Sequence, residues 1–363
     1  MKKTFGIAVL VLIGLGLLIV EPKSLLANEI PTAKETPMSA YQKSKVIPKM
    51  KGCILTSWFP DDYESIKVEQ TLRQMKTDGC EYVSIMIVWY QDSIHSTVVY
   101  SLDRKLPDEK GKSPTIAGIT HVTNYAHSLG LKVFFKPQIN ITNSDAWCGT
   151  INFIKEEDWI AWFKSYKDFI GYYLDLAQSL KVEGFIIGTE LVGTEDRETD
   201  WRDVVSMSRS KFPDGLISYC ANHDSYFRIK WWDAVDFIGI SAYFKLTESY
   251  QPSVPEIISA WQPWINDLAA FSAEQKKDIV FLEIGYQSYD GANTNPNSAP
   301  TKTPDLQEQA DCYEAAFKAL SNQPWLKGMY WWMWYWDPIQ NIDGFDVYTK
   351  PAEKVLRKWY RGN

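Results

Sequence analysis

The feature that most constrains the fold is an alternation that begins at Lys51, in which short apolar runs are separated by amphipathic stretches. Short apolar runs bounded by turn residues are typical of strands, and apolar residues every three or four positions are typical of helices. The predicted strands are residues 52–58, 81–90, 132–140, 183–191, 216–222, 236–244, 278–286 and 326–335. The predicted helices include residues 64–77, 115–129, 156–180, 201–211 and 305–322. Eight such units in about 310 residues predict a single (β/α)₈ TIM barrel.

The strand segments also bear on the alternative, a doubly wound open sheet. Segments such as IVFLEIGY (279–286) are apolar almost throughout, as expected for parallel strands covered on both faces. Both folds satisfy that pattern. An open sheet of this kind commonly carries a glycine-rich nucleotide loop, and neither G-x-G-x-x-G nor G-x-x-x-x-G-K-[ST] occurs in the sequence. The barrel is therefore the favoured prediction.

The composition is acidic and rich in aromatic residues. The 363 residues carry a formal net charge of −7, which argues against a nucleic-acid partner because phosphate binding needs a basic face. The chain holds 16 Trp, 20 Tyr and 16 Phe, more than a core ordinarily requires. So many flat rings predict a cleft for partly apolar ligands, of which sugars are the obvious class.

The N-terminus predicts a targeting segment. Lys2 and Lys3 precede an apolar run of 16 residues, from Phe5 to Val20, which is typical of a signal peptide and slightly short for a membrane-spanning helix. We therefore expect residues 1–27 to be a signal peptide or an uncleaved membrane anchor, and the protein to be secreted or held at the cell surface. The polar, proline-containing residues 28–50 predict a flexible linker, which leaves residues 51–363 as the barrel domain.

Cysteine and histidine usage argues against a metal centre. The five Cys are scattered without a C-x-x-C pair, so a zinc ribbon or thioredoxin-like site is not expected. A disulfide framework is not expected in a chain of this size, and mostly buried free thiols are. The four His are dispersed, with no spacing typical of metal ligands. We expect neither a metal nor an organic cofactor.

Two glutamates stand out because they end apolar strands, where a barrel carries its active site. Glu190 ends the fourth predicted strand and Glu283 lies near the end of the seventh. Strand alternation predicts that Gly188 shares a face with Glu190, and that Phe281 and Gly285 share one with Glu283. A pair of carboxyl groups across a barrel mouth suits glycoside hydrolysis, with one acting as acid and the other ionised. For either glutamate alone, a structural ion pair, for example with Lys136 or Arg228, is the competing interpretation.

Other polar and aromatic residues at predicted strand ends are candidate sugar contacts. Rings can stack on the apolar face of a sugar, and amide, ammonium and hydroxyl groups can bind its hydroxyls. The candidates are Trp58, Trp89, His95, Lys136, Asn140, Asn222, Tyr243 and Trp332. For Lys136 an ion pair is an equal alternative, and for His95 a structural role is as plausible as a sugar contact.

At these residues the sequence resembles glycoside hydrolase family 113, which belongs to a large clan of retaining (β/α)₈ barrels. The matching segments are SWFPDDY (57–63), VWYQDSIHST (88–97), KPQIN (136–140), EEDWIAWFKSY (156–166), GTEL (188–191), WWDAVDFIGISAY (231–243), AWQPW (260–264), EIGYQS (283–288) and EQADCYEAA (308–316). The resemblance implies that Glu190 is the acid/base and Glu283 the nucleophile. It further implies that Tyr243 hydrogen-bonds the nucleophile and that Trp332 lies under the sugar being cleaved.

The sequence departs from the pattern of the clan at four positions. Thr189 stands where the clan has Asn, His223 where relatives have Trp, Leu282 where they have Thr, and Met333 where they have Asp. None of the four removes a carboxylate. The sequence therefore predicts the catalytic reaction more closely than it predicts the identity of the substrate.

The resemblance implies a retaining endo-glycoside hydrolase that cleaves β-1,4-mannosidic linkages of a polysaccharide or oligosaccharide, and the N-terminal segment predicts that it is exported. One alternative is a hydrolase of another β-linked glycan, such as xylan, a glucan or a cell-wall glycan. A second is a catalytically silent carbohydrate-binding barrel, and a redox or metal enzyme is the remote third. We expect a monomer, with a membrane tether if the N-terminal segment is retained.

Overall fold

The computed structural model describes residues 45–102, 113–143, 146–338 and 343–362. Eight parallel strands pair in chain order and β8 pairs with β1, so the sheet closes into a barrel. The strands are β1 (Met50–Thr56), β2 (Tyr82–Gln91), β3 (Lys132–Ile141), β4 (Gly184–Thr189), β5 (Leu216–Asn222), β6 (Ile238–Ser241), β7 (Ile279–Ile284) and β8 (Leu326–Tyr335). The predicted TIM barrel is confirmed.

Seven α-helices cover the barrel within the described residues. They are α1 (Ile66–Thr77), α2 (Ile116–Ser128), α3 (Glu156–Leu180), α4 (Glu198–Lys211), α5 (Val254–Gln275), α6 (Leu306–Leu320) and α7 (Pro351–Arg361). Between β5 and β6 the described chain makes only the 3₁₀ turns Tyr226–Arg228 and Trp232–Ala234. None of the described helices has the length and hydropathy needed to cross a membrane.

Local sequence explains where several helices begin and end. Ser65 and Thr115 cap α1 and α2 by accepting backbone N–H groups, and three acidic residues open α3, where the helix dipole favours negative charge. No bounds were predicted for helix α5, which continues through Pro263. Its capping box, formed by Ser253 and Glu256, is the signal that marks its start.

The interior of the barrel is filled from alternate strand positions. The buried lumen cluster consists of Ile47, Met50, Ile54, Tyr82, Phe134, Ile186, Cys220, Phe237, Val280, Leu282 and Tyr330. Gly184 leaves room for the Phe134 ring, since a Cβ there would lie 2.5 Å from it. These side chains fill the lumen below the mouth, and outward-facing strand positions such as Ile85 and Phe185 pack in the larger core beneath the helices.

The N-terminal boundary of the barrel lies earlier than predicted. Ile47 and Met50 are buried in the lumen cluster, and Lys45 donates hydrogen bonds to backbone carbonyls such as that of Asp214, at 3.1 Å. Residues 45–50 are therefore part of the barrel, although the sequence assigned them to the linker. The predicted targeting segment, residues 1–27, and residues 28–44 of the linker lie outside the described residues.

The expectation of free thiols is wrong for one pair of cysteines. Cys53 on β1 forms a disulfide with Cys80, which lies just before β2, whereas Cys220 and Cys312 are buried free thiols and Cys148 is a half-buried one. The two bonded cysteines are 27 residues apart, but β1 and β2 are neighbouring strands. Strand pairing brings them together, and sequence spacing does not reveal it.

Candidate active site

Glu190 follows the last residue of β4 at the carboxyl end of the barrel, in an unusual backbone conformation. Its φ of 53° lies in the left-handed region, which is uncommon for a residue with a side chain. Its N–H donates to the carbonyl of Cys220 on β5, at 2.8 Å. Just before it, β4 carries one more residue than β5 between the pairs Ile186–Ser218 and Thr189–Cys220.

This irregularity corrects the predicted alternation on β4. A Cβ on Gly188 would lie 2.8 Å from the Tyr219 ring and 2.9 Å from the Trp201 ring, both in the core beneath the helices. Gly188 therefore faces outward and does not share a face with Glu190. The extra residue turns the following carboxyl group into the mouth, which is a common role of β-bulges near active sites.

The end of β7 has a β-bulge like the one at the end of β4. The pairs Ile240–Phe281 and Ser241–Glu283 leave one extra residue on β7. Phe281 stacks on Trp261 in the outer core, at 6.3 Å between ring centroids, and Leu282 packs inside the barrel. The prediction that Phe281 and Glu283 share a face is therefore wrong. The bulge places Leu282 in the lumen and Glu283 in the mouth above it.

Glu283 is buried among hydrogen-bond donors from β3 and from the segment that follows β6. Its Oε1 accepts from Lys136 and, at 3.3 Å, from Gln138, both on β3. Its Oε2 accepts from the hydroxyl of Tyr243 at 2.9 Å. Burial holds the pKa of Tyr243 well above its ordinary value, so the phenol keeps its proton and donates it. These donors together stabilise a negative charge on Glu283.

Lys136 is the buried cation of the site. It is fully buried and forms an ion pair with Glu283, and its Nζ lies 5.8 Å from the centroid of the Trp332 ring. Burial is the largest single effect and opposes its charge, but the Glu283 carboxylate, together with Cys220 and Glu190, outweighs burial and raises the pKa of Lys136. The ion-pair interpretation thus describes the contact of Lys136 in the structure, and the partner is one of the two glutamates.

Glu190 has a different environment, with fewer donors and, among the described residues, no cation in direct contact. Its Oε2 accepts from the indole N–H of Trp147 at 3.2 Å. Burial and the nearby charge of Glu283 raise the pKa of Glu190 to about 7, against a smaller opposing effect of the Ser241 hydroxyl. At neutral pH, therefore, Glu190 is available as an acid while Glu283 lies in a site built for a carboxylate.

Three further predicted residues lie around the barrel mouth. Trp332 and Trp58 are half-buried and pack against a cluster that includes Tyr90 of β2. Asn140 on β3 hydrogen-bonds Tyr90, whose pKa burial raises to about 12. Trp58 also lies 6.2 Å from the Tyr335 ring. These side chains form an aromatic wall on the β1, β2 and β8 side of the mouth.

Trp89 faces the helices and not the mouth. Its indole donates to the Tyr173 hydroxyl at 2.9 Å and stacks on Phe169 at 4.6 Å, and both partners belong to α3. The prediction of a sugar contact at Trp89 is corrected on this geometry. Strand alternation gives the lumen face of β2 to Val88 and Tyr90, so Tyr90 is the aromatic residue that reaches the mouth.

His95 and Asn222 organise loops in the structure. The Nδ1 of the exposed His95 lies 2.9 Å from the carbonyl of Asn152, which ties the loop after β2 to the loop after β3. Asn222 is buried at the end of β5, and its Oδ1 accepts from the N–H of Asp224 at 3.3 Å. Among the described contacts, neither touches Glu190 or Glu283.

Sequence reasoning did not single out three residues that contact the two carboxyl groups: Trp147, Gln138 and Ser241. Gln138 lies two positions from Lys136 on β3, so alternation along that strand could have identified it. Ser241 lies two positions before Tyr243 at the end of β6. Trp147 lies in the loop after β3, where no strand pattern marks it.

Within the described residues, one cluster of three acidic side chains, in and before the start of α6, has its carboxylate oxygens close enough together to hold a metal ion. It consists of Asp290, Asp305 and Glu308. Glu308 already accepts N–H groups from Gly291 at 2.7 Å and from Asn293 at 2.9 and 3.0 Å. These hydrogen bonds satisfy the buried Glu308 carboxylate and hold the loop in place, so its burial needs no metal ion to explain it. The absence of a metal from the chemistry stays a prediction.

Comparison with known proteins places this geometry in a family. The model of Glycoside Hydrolase Family 113 matches residues 58–350. A solved family 113 β-1,4-mannanase is 28% identical, with a TM-score of 0.77, over 87% of this chain and 100% of that one. The family 113 β-mannanase of Alicyclobacillus acidocaldarius, solved in complex with ManMIm, is 27% identical with a TM-score of 0.76, over 87% and 98% of the two chains.

A more distant structure shares the fold alone. The family 5 mannosidase of Rhizomucor miehei, in complex with mannosyl-fructose, is 12% identical with a TM-score of 0.58, over 86% of this chain and 92% of that one. No curated protein sequence matches the chain.

Proposed function

Because the chain belongs to glycoside hydrolase family 113, we propose that it is a retaining endo-β-1,4-mannanase in which Glu190 and Glu283 carry the reaction. The observation that carries the proposal is the contrast between the two carboxyl groups at one barrel mouth. Glu283 is held by donors that stabilise its charge, and the pKa of Glu190 is raised to about 7. Similarity to two solved β-mannanases, at 27–28% identity, supports mannan as the substrate.

In the first step, Glu283 attacks the anomeric carbon while Glu190 protonates the glycosidic oxygen. A bond forms between a Glu283 oxygen and the anomeric carbon, and the bond to the leaving oxygen breaks. The proton of Glu190 goes to that oxygen, so the leaving sugar departs as a neutral alcohol. The products are a glycosyl ester on Glu283 and an ionised Glu190.

In the second step, a water molecule releases the sugar. Glu190, now a carboxylate, takes a proton from the water as the water oxygen bonds to the anomeric carbon. The ester bond to Glu283 breaks and its carboxylate is restored. Two inversions at the same carbon give net retention, and both glutamates return to their starting states.

The neighbours of Glu283 support both steps. Lys136 and Tyr243 stabilise the carboxylate that attacks and later leaves, and they keep its oxygens aimed into the mouth. Trp332 offers a ring to the apolar face of the sugar being cleaved, and Trp58 extends the aromatic wall. The proposed sugar contacts are therefore Trp332, Trp58 and Asn140.

The pH dependence of catalysis follows from the acid. Glu190 must hold a proton in the first step, and its pKa of about 7 means that the proton is lost as the pH rises above neutrality. We therefore expect kcat/KM to fall on the alkaline side, with a midpoint near pH 7.

The test is a reducing-sugar assay on mannan, xylan and cellulose, with proton NMR of the first products to read the anomer. The control is the double variant Glu190→Gln/Glu283→Gln, purified in parallel. Release from mannan with initial formation of the β anomer supports the whole proposal. Cleavage of another β-glycan with retention keeps the mechanism and rejects mannan, and an α anomer rejects the mechanism.

If the wild-type protein released no reducing sugar from any of the β-glycans, the result would favour the carbohydrate-binding alternative. Affinity electrophoresis in gels containing the same polysaccharides then distinguishes binding without cleavage from inertness. Activity that persists in the double variant would reject the assignment of both glutamates.

We also propose that the protein is exported. The positively charged, apolar N-terminus is typical of an export signal, and the Cys53–Cys80 disulfide is typical of proteins in oxidising compartments. Fractionation of expressing cells tests this, with a variant lacking residues 1–27 as the control. Full-length protein outside the cytoplasm, and retention of the truncated form within it, would support export, and cytoplasmic accumulation of both would reject it.

A further inference from the structure

The loop after β3 brings an unassigned tryptophan to Glu190. The indole N–H of Trp147 donates to the Oε2 of Glu190 at 3.2 Å. Trp147 nevertheless remains 41% exposed, although indole rings are mostly buried in this barrel. A large ring that is both exposed and bonded to a mouth carboxyl group is placed to act on that group and on a ligand beside it.

The backbone around Trp147 holds the ring in this position. The Trp147 carbonyl accepts from the N–H of Thr150 at 3.0 Å and from its hydroxyl at 2.7 Å. The indole lies across the backbone of Gly149, where a Cβ on any other residue would collide with the ring. The sequence W-C-G-T therefore makes a compact turn that directs the indole toward Glu190.

This turn is packed directly against the loop that carries Glu190. Gly193, in the 3₁₀ turn Val192–Thr194, approaches the carbonyl of Ile151 so closely that a Cβ would overlap it. The N–H of Leu191, next to Glu190, is held at 2.8 Å by the Tyr219 hydroxyl. Both ends of the Trp147–Glu190 hydrogen bond are thus fixed by short-range backbone packing.

We propose that Trp147 is a positioning residue for Glu190, and that its exposed face lines the side of the cleft where the leaving sugar lies. An indole N–H can only donate, so the Glu190 oxygen that it contacts must act as an acceptor. The acidic proton of Glu190 is therefore directed to the other oxygen, Oε1. This inference rests on the proposed function, because it assigns Glu190 as the acid that reaches the glycosidic oxygen.

The placement beside the leaving sugar follows from the same contact. The acid must touch the oxygen that joins the two sugars, so a ring bonded to the acid lies next to that oxygen. Glu283 lies at the end of β7 and would attack the sugar that becomes attached to the enzyme, whereas the contact of Trp147 is with the acid. The Trp147 ring thus faces the sugar that departs.

The hydrogen bond also affects the titration of Glu190, because it favours the ionised form. Several titratable groups influence the pKa of Glu190 or have their own pKa influenced by Glu190. They come from β3 and the loop after it, from β5, and from the ends of β6 and β7. They are Lys136, Cys148, Cys220, Tyr243 and Glu283. None of them is altered when Trp147 becomes Phe, so the substitution isolates the indole N–H.

The experiment compares Trp147→Phe, Trp147→Ala and the matched control Trp359→Phe. Trp359 also donates its indole N–H to a carboxylate, that of Glu314 at 2.8 Å, but the contact joins α6 and α7 away from the mouth. The Phe variant at 147 keeps a ring and loses the donor. We expect its kcat on polysaccharide to fall about 10- to 100-fold with little change in KM, and its alkaline limb to move to higher pH.

The Ala variant and an activated substrate separate the two roles of the residue. Trp147→Ala should add a several-fold rise in KM, because the ring itself is lost. An aryl glycoside with an acidic leaving group needs little protonation, so the formation of the glycosyl-enzyme should be nearly unaffected in Trp147→Phe. An alkaline limb that stays at the wild-type and Trp359→Phe position would overturn the proposal.

A direct titration keeps this test separate from the proposed function. Carboxyl-carbon NMR of ¹³C-labelled protein reports the pKa of Glu190, identified by its loss in Glu190→Gln, and needs no substrate. A higher pKa in Trp147→Phe than in Trp359→Phe supports the contact in solution, even if no β-glycan is cleaved. Equal pKa values in folded variants would refute it, whatever the activity.

Discussion

The ends of β4 and β7 look alike in sequence and backbone but differ in charge environment. Each strand is apolar, each has one extra residue relative to a neighbouring strand, and each presents a glutamate to the mouth. Glu283 is buried beside a lysine, an amide and a phenol. Glu190 meets an indole N–H and a hydroxyl, and its pKa is raised to about 7.

The difference comes from what other elements place around each strand end. Lys136 and Gln138 come from β3, and Tyr243 follows β6, so the environment of Glu283 is assembled from distant parts of the chain. In the proposed mechanism, the same type of side chain on the same type of bulge therefore serves as the acid at one strand end and as the nucleophile at the other. The neighbours decide which, because they set whether the charged form is stabilised.

The largest expected effect is at the β7 end. Replacing Glu283 with Gln removes the attacking carboxylate, and we expect kcat on β-glycan to fall by about 10⁴-fold or more. The substitution also removes the charge that raises the pKa of Glu190, so that pKa should fall. Reducing-sugar assays and carboxyl-carbon NMR measure the two effects. Retained activity would remove Glu283 from the chemistry.

Substitution of Glu190, at the end of β4, should reduce the catalytic rate by less than substitution of Glu283, and the reduction should depend on the substrate. Glu190→Gln removes general acid catalysis, which is worth about 10²- to 10⁴-fold on a polysaccharide. An aryl glycoside with an acidic leaving group should still form the glycosyl-enzyme at close to the wild-type rate. Adding azide to Glu190→Ala should yield a β-glycosyl azide, whereas Glu283→Ala should yield the α anomer. The opposite pattern would exchange the two roles.

Substitution of Lys136 tests the difference between the two glutamates, because Lys136 is the cation that pairs with Glu283. Lys136→Met leaves Glu283 without its cation, and losing one partner of a buried ion pair costs about 3–5 kcal/mol of unfolding free energy. Urea unfolding measures this. The matched control is Lys164→Met, which breaks an exposed ion pair with Asp168 and should cost less than about 1 kcal/mol. Equal costs at both sites would show that the mouth pair is not buried in solution.

A finer change tests the second donor to Glu283. Tyr243→Phe removes one hydroxyl, at 2.9 Å from the carboxylate, and keeps the ring. A hydrogen bond to a charged group is worth about 1.5–3 kcal/mol, which corresponds to a loss in kcat/KM of about 10- to 100-fold. Steady-state kinetics on the same substrate, beside Tyr90→Phe in the aromatic wall, checks it. An unchanged kcat/KM would show that Lys136 alone holds the carboxylate.

The smallest effects concern the glycines beside the two glutamates. A Cβ on Gly285 would collide with the backbone carbonyl of Trp332, whereas one on Gly188 would meet only side-chain rings. Overpacking costs about 1–3 kcal/mol, and we expect Gly285→Ala to lie at the upper end because a backbone atom has less room to move. Thermal unfolding of the two Ala variants compares them. A larger loss at Gly188 would contradict this ranking.

Much of this site was accessible from the sequence, and the errors beside the two glutamates have a common cause. Glu190, Glu283, Lys136, Tyr243 and Trp332 were singled out because strand ends of a barrel converge. Gly188 and Phe281 were assigned to the wrong face beside the glutamates, whereas Trp89 lies on the uninterrupted strand β2, where alternation already points it away from the lumen. Strand alternation holds along an uninterrupted strand, but a single extra residue reverses it, and nothing in a run such as FLEIG marks where that residue is inserted.

By itself, the sequence determined the eight-fold alternation, the acidic surface charge, the wealth of aromatic residues and the two strand-end glutamates, because these depend on local pattern and composition. Only the tertiary structure decided that Lys136 pairs with Glu283, that Cys53 bonds Cys80, and that Trp147 reaches Glu190. These contacts join residues 27 to 147 positions apart. They depend on strand register and loop packing, which no local pattern encodes.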